Sequence, residues 1–136
     1  MPSPNPQANL LGGTSTNTVV VNNFIHEDYD VVNTSEDPIF LSIIPGAGKP
    51  ASIVIFLDDN QLPPTSDPIV QSNIGLGKDL VNKTLDCTIT CQAIAGTNDQ
   101  AIVTITLEGG KKVYSCTLQQ PIKDGLAIFN AIFDLI

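Results

Sequence analysis

The sequence predicts an all-β fold, a single two-layer antiparallel β-sandwich of eight or nine strands with an immunoglobulin-like, jelly-roll or C2-like topology. Sixteen Ile, ten Val and twelve Thr make up more than a quarter of the 136 residues, and β-branched side chains suit pleated sheets. Ten Pro and ten Gly, spread along the chain, indicate short strands and frequent turns. A third observation is one clear hairpin.

That hairpin spans residues 99–118 and turns at Gly109-Gly110, a dipeptide that tolerates the positive φ angles of a tight turn. Alternation places Ala101, Val103, Ile105 and Leu107 on one face of its first arm. If Glu108 lies opposite Lys111, then Tyr114, Cys116 and Leu118 share that apolar face. The pattern therefore predicts a half-buried antiparallel ribbon.

The rest of the chain divides into a flexible N-terminal arm, residues 1–17, and the sandwich domain, residues 18–136. An acidic turn at Glu27-Asp28 separates the first two predicted strands, and 75–78 is a further turn. The nearly continuous apolar run 39–44 is typical of a strand covered on both faces. Predicted strands before the hairpin are 18–25, about 29–33, 39–44, 53–57, 69–72 and 84–94.

The C-terminal segment, residues 126–136, fits two periodicities. A weak polar stripe at helical spacing favours a helix. Ala127, Phe129, Ala131, Phe133 and Leu135 form an equally clean strand face, and the richness in Phe and Ile favours the strand.

The charge balance excludes several classes of function. Fourteen acids, six lysines and no arginine give a net charge of −8. Nucleic-acid binders carry a basic footprint, and anionic lipid surfaces attract one, so neither partner is expected. The apolar runs are too short for membrane insertion. Residues 1–18 lack the basic and apolar regions of a signal peptide, so a cytoplasmic location is the default expectation.

Three cysteines, Cys87, Cys91 and Cys116, are an odd number and predict buried, reduced thiols. Cys87 and Cys91 share one strand face about 13 Å apart, beyond disulfide reach. Pairing of their strand with residues 101–107 would place Cys91 and Cys116 about 10 Å apart. Their spacing also lacks the tight knuckle of a structural zinc site.

Acidic side chains at strand ends and in loops suggest a calcium site, because sandwich loops gather at two ends and Ca²⁺ prefers oxygen ligands. The candidate ligands are Asp28, Asp30, Asp58, Asp59 and Asp67. They support an alternative function as a calcium-dependent ligand- or carbohydrate-binding domain.

The only histidine, His26, is the one candidate for general-base chemistry. It would lie at a hairpin tip among acids, with Ser35 or Ser42 as nucleophile, which gives a second alternative, a hydrolase. No serine lies in a Gly-x-Ser-x-Gly elbow.

The leading prediction is a non-enzymatic β-sandwich module that acts by binding or assembly, with another copy of itself or another protein as its partner. It rests on residues 126–136, which are apolar on both strand faces apart from Asn130 and Asp134. One face fills the core, and the other must be internal or covered by another subunit. The predicted interface residues are Ile128, Ile132 and Ile136.

Overall fold

The computed structural model describes the backbone of residues 15–21 and all of residues 23–46, 50–93 and 100–136. These residues form ten strands and one short helix. Nine strands span six residues or more, in agreement with the predicted number, and β5 spans two. The elements in chain order are β1 (Ser15–Val21), β2 (Phe24–Tyr29), β3 (Pro38–Pro45), β4 (Ala51–Leu57), β5 (Asn60–Gln61), β6 (Ile69–Leu76), α1 (Gly77–Leu80), β7 (Thr84–Gln92), β8 (Gln100–Glu108), β9 (Val113–Pro121) and β10 (Leu126–Leu135).

Two five-stranded sheets pack face to face, which confirms the predicted β-sandwich. Sheet I has the order β1-β9-β8-β3-β6, and sheet II has the order β2-β10-β7-β4-β5. Most pairs are antiparallel, but β1 pairs with β9 and β2 pairs with β10 in parallel. Beside these two parallel pairs the chain crosses from sheet I to sheet II, once between β1 and β2 and once between β9 and β10.

The core lies between the sheets and is built by strict alternation along the strands. Every second residue of β7, β8 and β10 is buried, as period-two side-chain geometry requires. The C-terminal segment is a strand, as the apolar alternation favoured, and Phe129 and Phe133 are its largest fully buried side chains. It is also internal, since β2 and β7 flank it.

The predicted hairpin is formed by β8 and β9, and its apolar face is confirmed. Its register differs from the prediction, because Leu107 lies opposite Tyr114 and the connection is longer than a two-residue turn. Tyr29 explains the longer connection: its hydroxyl donates to the Lys112 carbonyl at 2.6 Å and accepts from the Gly110 amide at 3.0 Å. A Cβ on Gly110 would lie 2.3 Å from the Asp30 carbonyl oxygen, so only glycine fits this close approach.

The predictions for the N-terminal strands are wrong in detail. Glu27 and Asp28 do not form a turn but lie within β2, opposite Phe133 and Asp134 of β10. An edge strand tolerates these acids because one of its sides faces solvent. The predicted strand at 29–33 is absent, since β2 ends at Tyr29. Strand β1 begins at Ser15 rather than at residue 18, and residues 1–14 lie outside the described part of the chain.

Three further expectations need correction. Strand β3 is covered on one face only, because Ile44 is 38% exposed and Phe40 and Ser42 are only partly buried. The turn predicted at 75–78 is the end of β6 followed by α1. Strand β7 does not pair with β8; it pairs with β4 and β10, so Cys91 and Cys116 lie in opposite sheets. Strand order depends on contacts that local pattern does not encode.

Candidate interaction surface

The outer face of sheet II concentrates the exposed apolar side chains. Eight large hydrophobic residues are exposed in the described part of the chain, and three of them lie on strands of sheet I. The other five project from the outer face of sheet II or from its end: Phe24, Phe56, Leu126, Ile128 and Ile136. Because the inner positions of β10 fill the core, its alternate positions must point outward.

Strand register divides this face into an uncharged half and a charged half. The uncharged half-face lies where β10 begins, and its lateral rows follow from the pairing of β2, β10, β7 and β4. None of its side chains ionises. Its nine residues are Phe24, Ser52, Val54, Thr88, Thr90, Gln92, Leu126, Ile128 and Asn130. Such a surface is unusual on a chain of net charge −8.

The charged half begins one row further along the strands. His26 Nε2 lies 2.8 Å from Asp134 Oδ2, and both side chains are nearly half exposed. At the boundary, Asn130 Nδ2 donates to Asp86 Oδ1 at 2.7 Å and to the Cys87 carbonyl at 3.1 Å. His26 and Asp134 therefore pair within the charged half, and Asn130 holds Asp86 at the boundary between the two halves.

The outer face of sheet I has a different chemistry. Hydroxyl pairs join β8 and β9, with Thr104 Oγ1 3.0 Å from Thr117 Oγ1 and Thr106 Oγ1 3.2 Å from Ser115 Oγ. Gln119 Nε2 also donates to Gln100 Oε1 at 3.2 Å. These polar pairs occupy β8 and β9, while the exposed large apolar side chains of this sheet are Ile44 on β3, Val70 on β6 and Val113 on β9.

A shallow cavity of about 240 Å³ adjoins the uncharged half-face at the corner between β9 and β10. Leu126 and Ile128 form part of its wall, and Asn23, Gln120 and Lys123 complete the rim. The cavity gives the half-face a concave end that can accept one protruding side chain.

The three predicted interface residues all point outward from β10 or directly after it, but only one lies in the uncharged half-face. Ile128 is 51% exposed at its centre. Ile132 is partly buried in the charged half, between His26 and Asp86. Ile136 is 51% exposed beyond the charged rows.

The five predicted calcium ligands do not come together. Asp58 Oδ1 accepts from the Thr84 amide at 2.8 Å, and Asp30 Oδ1 accepts from the Val32 amide at 2.9 Å. Asp28 lies opposite Asp134, and Asp59 follows Asp58 in the β4–β5 turn. Asp67 follows Thr65, which pairs with Ile53, so it lies toward the opposite end of β4 from Asp58.

Among the described residues, no three His, Cys, Asp or Glu side chains form a group that could hold a metal ion. Calcium binding stays a prediction.

His26 lies on edge strand β2 rather than at a hairpin tip, and its partner is Asp134 rather than a neighbouring acid. The two candidate nucleophiles serve other contacts: Ser42 Oγ accepts from the Gln71 amide and Ser35 Oγ accepts from the Asp37 amide, at 2.9 and 3.0 Å. Sequence reasoning missed Asp134 because 108 residues separate it from His26.

The three cysteines are buried and form no disulfide. Burial raises the pKa of the Cys87 thiol to about 12, and the charge of Asp86 adds to this. Burial also raises the pKa of Cys116, although the hydrogen bond with Tyr114 opposes the change. A thiol with a raised pKa is a poor nucleophile, so Cys87 and Cys116 act as core side chains.

Comparisons with protein families, curated proteins and solved structures found no match to this chain. Within the described residues, no helix has the length and apolar character needed to cross a membrane.

Proposed function

We propose that this chain is a non-enzymatic assembly module that associates with a second copy of itself through the uncharged half-face. The observation that carries the proposal is the difference between the two outer faces. On β8 and β9 of sheet I the outward hydroxyl and amide groups pair with each other, and Ile44, Val70 and Val113 are the exposed large apolar side chains of that sheet. Neighbouring strands β2 and β10 of sheet II expose Phe24, Leu126 and Ile128 to 43–51% with no ionisable side chain among them. Burial of these apolar side chains against a partner removes them from water, which favours association.

Charge favours a second copy as the partner. A basic protein would be attracted to the acidic rows, where Asp28 and Asp134 lie opposite each other. The uncharged half-face has no electrostatic attraction to a basic partner, and the partner surface that it matches is the uncharged half-face of a second copy. A two-fold axis through the uncharged half-face would stack the two sheets about 10 Å apart and leave both acidic halves outside the contact.

The expected affinity is modest. Strand spacing and rise give the uncharged half-face an area of roughly 400 Å² per copy, which is below the usual size of a stable interface. We therefore expect a dissociation constant between about 10 and 500 μM.

The test is light scattering on wild type and two matched variants across this concentration range. Ile128→Lys places a charge at the centre of the half-face, where the side chain is already 51% exposed, so the fold is retained. Ile44→Lys makes the same change on β3 of sheet I, at a position 38% exposed. Ile128→Lys should weaken association at least tenfold, and Ile44→Lys should leave it unchanged.

Circular dichroism and melting temperature verify that both variants fold. A wild type that stays monomeric throughout would overturn the proposal. Equal effects of the two substitutions would also do so, because association would then not depend on sheet II.

A further inference from the structure

We infer a second, independent site: the cavity between the sheets at the side where β4 and β6 meet is a binding site for a small neutral molecule with an apolar body. The cavity has a volume of about 380 Å³, within the usual range of small-molecule sites. It lies on the side of the sandwich remote from β1 and β2, since β5 and β6 are the opposite edges of their sheets. The self-association proposal does not involve it.

The walls of this cavity are mainly core side chains. Leu41, which is fully buried, and Ile55, which is 5% exposed, form the floor of the cavity. Its mouth is open to solvent, since Pro63, Ser72 and Asn73 are exposed. Leu62 and Pro63 close it from the segment after β5, and Ile69 and Ile74 close it from β6. An apolar ligand would extend the core.

Backbone geometry explains why the two sheets do not close on each other here. Strand β6 pairs with β3 through two register shifts, and Gln71 adopts a φ of 49° within the second of them, between Ile69 and Ser72. Such bulges bend an edge strand away from its neighbour. In sheet II, which forms the opposite wall, the edge strand β5 has only two residues. Beyond β5, the bridge between Ile53 and Thr65 pairs the following segment with β4. Chain geometry, and not a missing side chain, holds the cavity open.

The lining determines the chemical class of the ligand. No charged side chain contributes to the wall, and its polar members are Thr65, Ser72 and Asn73. Thr65 Oγ1 accepts from the Asp67 amide and Asn73 Oδ1 accepts from the Gly75 amide, so the Thr65 hydroxyl proton and the Asn73 amide protons are left to donate. A buried carboxylate without a cation would be costly. The site therefore fits an alkyl or aromatic body with one neutral hydrogen-bond acceptor.

The test uses 6-propionyl-2-(dimethylamino)naphthalene, a neutral fluorophore with one carbonyl acceptor whose emission changes in apolar surroundings, titrated into the full chain. We expect saturable binding of one probe per chain and its displacement by 1-decanol. Decanoate, with the same chain length but a negative charge, should compete at least tenfold less well. No saturable signal, or equal competition by decanol and decanoate, would overturn the inference.

Four variants locate the probe. Ile74→Trp fills the cavity and should weaken probe binding at least tenfold, and Leu62→Trp fills it from the other wall if the first variant does not fold. Val70→Trp, on the same strand at a position 68% exposed and outside the lining, should bind as wild type does. Ile128→Lys should also bind as wild type, because loss in that variant would place the probe on the outer face of sheet II and overturn the cavity assignment.

Discussion

Tyr29 shows how one side chain sets the geometry at one end of the sandwich. It is 4% exposed, and its hydroxyl both donates to and accepts from the β8–β9 connection. Burial is the main cause that raises the pKa of this phenol, against the opposing effect of the Gly110 amide. The longer hairpin connection follows from a contact with a residue 81 positions away, which the pattern of residues 99–118 does not contain.

Tyr29→Phe keeps the ring and removes both hydrogen bonds. The Gly110 amide and the Lys112 carbonyl then lose a partner in a half-buried place, so we expect a loss of about 1–3 kcal/mol in the free energy of unfolding. Urea denaturation of both proteins measures it. A loss below about 0.5 kcal/mol would mean that water replaces the hydroxyl at no cost.

The raised pKa of the Cys87 thiol predicts that the folded protein becomes less stable at alkaline pH. The thiol's folded pKa of about 12 exceeds the value of 9.0 that it has when exposed. Above pH 9 the unfolded chain therefore releases its proton first, and stability decreases by up to about 1.4 kcal/mol per pH unit until the folded thiol also ionises. Denaturation of wild type and Cys87→Ala at pH 8 to 11 should give a steeper decline for wild type. Parallel declines would contradict the raised pKa.

The burial of all three cysteines predicts slow thiol chemistry. Titration with a thiol reagent should proceed slowly in the native protein and reach three thiols per chain after unfolding. A mass two hydrogens lower in the non-reduced protein would reveal a disulfide and contradict the prediction that all three thiols are reduced.

At the scale of elements, what sequence could predict depends on the range of the interaction. The alternation of apolar and polar residues depends only on neighbouring positions in the sequence. It therefore predicted the buried faces of β8, β9 and β10 and favoured a C-terminal strand. Pairing is not local: β2 runs beside β10 because residues near 26 and 132 meet, and no neighbouring residue signals this. Local alternation was therefore sufficient to predict that Ile128 points away from the core. It could not predict that Phe24 belongs to the uncharged half-face, because Phe24 reaches that surface only through the pairing of β2 with β10.

Strand β10 offers a direct test of this surface. Asn130 is the one polar residue of the uncharged half-face on β10, and Asn130→Val would join Ile128 and Ile132 into a continuous apolar row. We expect self-association to tighten about threefold to tenfold because more apolar area leaves water. Thr106→Val on β8 adds similar apolar area to sheet I and should not change association. Light scattering compares the two, and equal tightening would contradict the assignment.

The whole molecule is a sandwich with two dissimilar outer faces and a strong negative charge. The charged residues on the outer face of sheet II, His26, Asp28, Asp86 and Asp134, gather in one half of that face, so the other half can approach a second copy with little local repulsion. Long-range repulsion between two chains of net charge −8 still opposes the encounter. Association therefore balances a short-range apolar gain against a long-range electrostatic cost.

This balance predicts that salt promotes association. Raising sodium chloride from about 0.02 to 0.5 M shortens the screening length several-fold and leaves apolar burial intact. The dissociation constant should decrease as salt increases. A dissociation constant that rises with salt would indicate contacts made by opposite charges and would exclude an apolar interface.

Sedimentation equilibrium of the wild-type chain from about 5 to 500 μM, a range set by the expected interface size, tests self-association through sheet II most directly. We expect a weight-average mass that rises from the monomer mass of 14.4 kDa toward twice that value. Ile128→Lys should remain at the monomer mass over most of the range. A wild-type mass that stays at 14.4 kDa at the highest concentration would contradict self-assembly through sheet II.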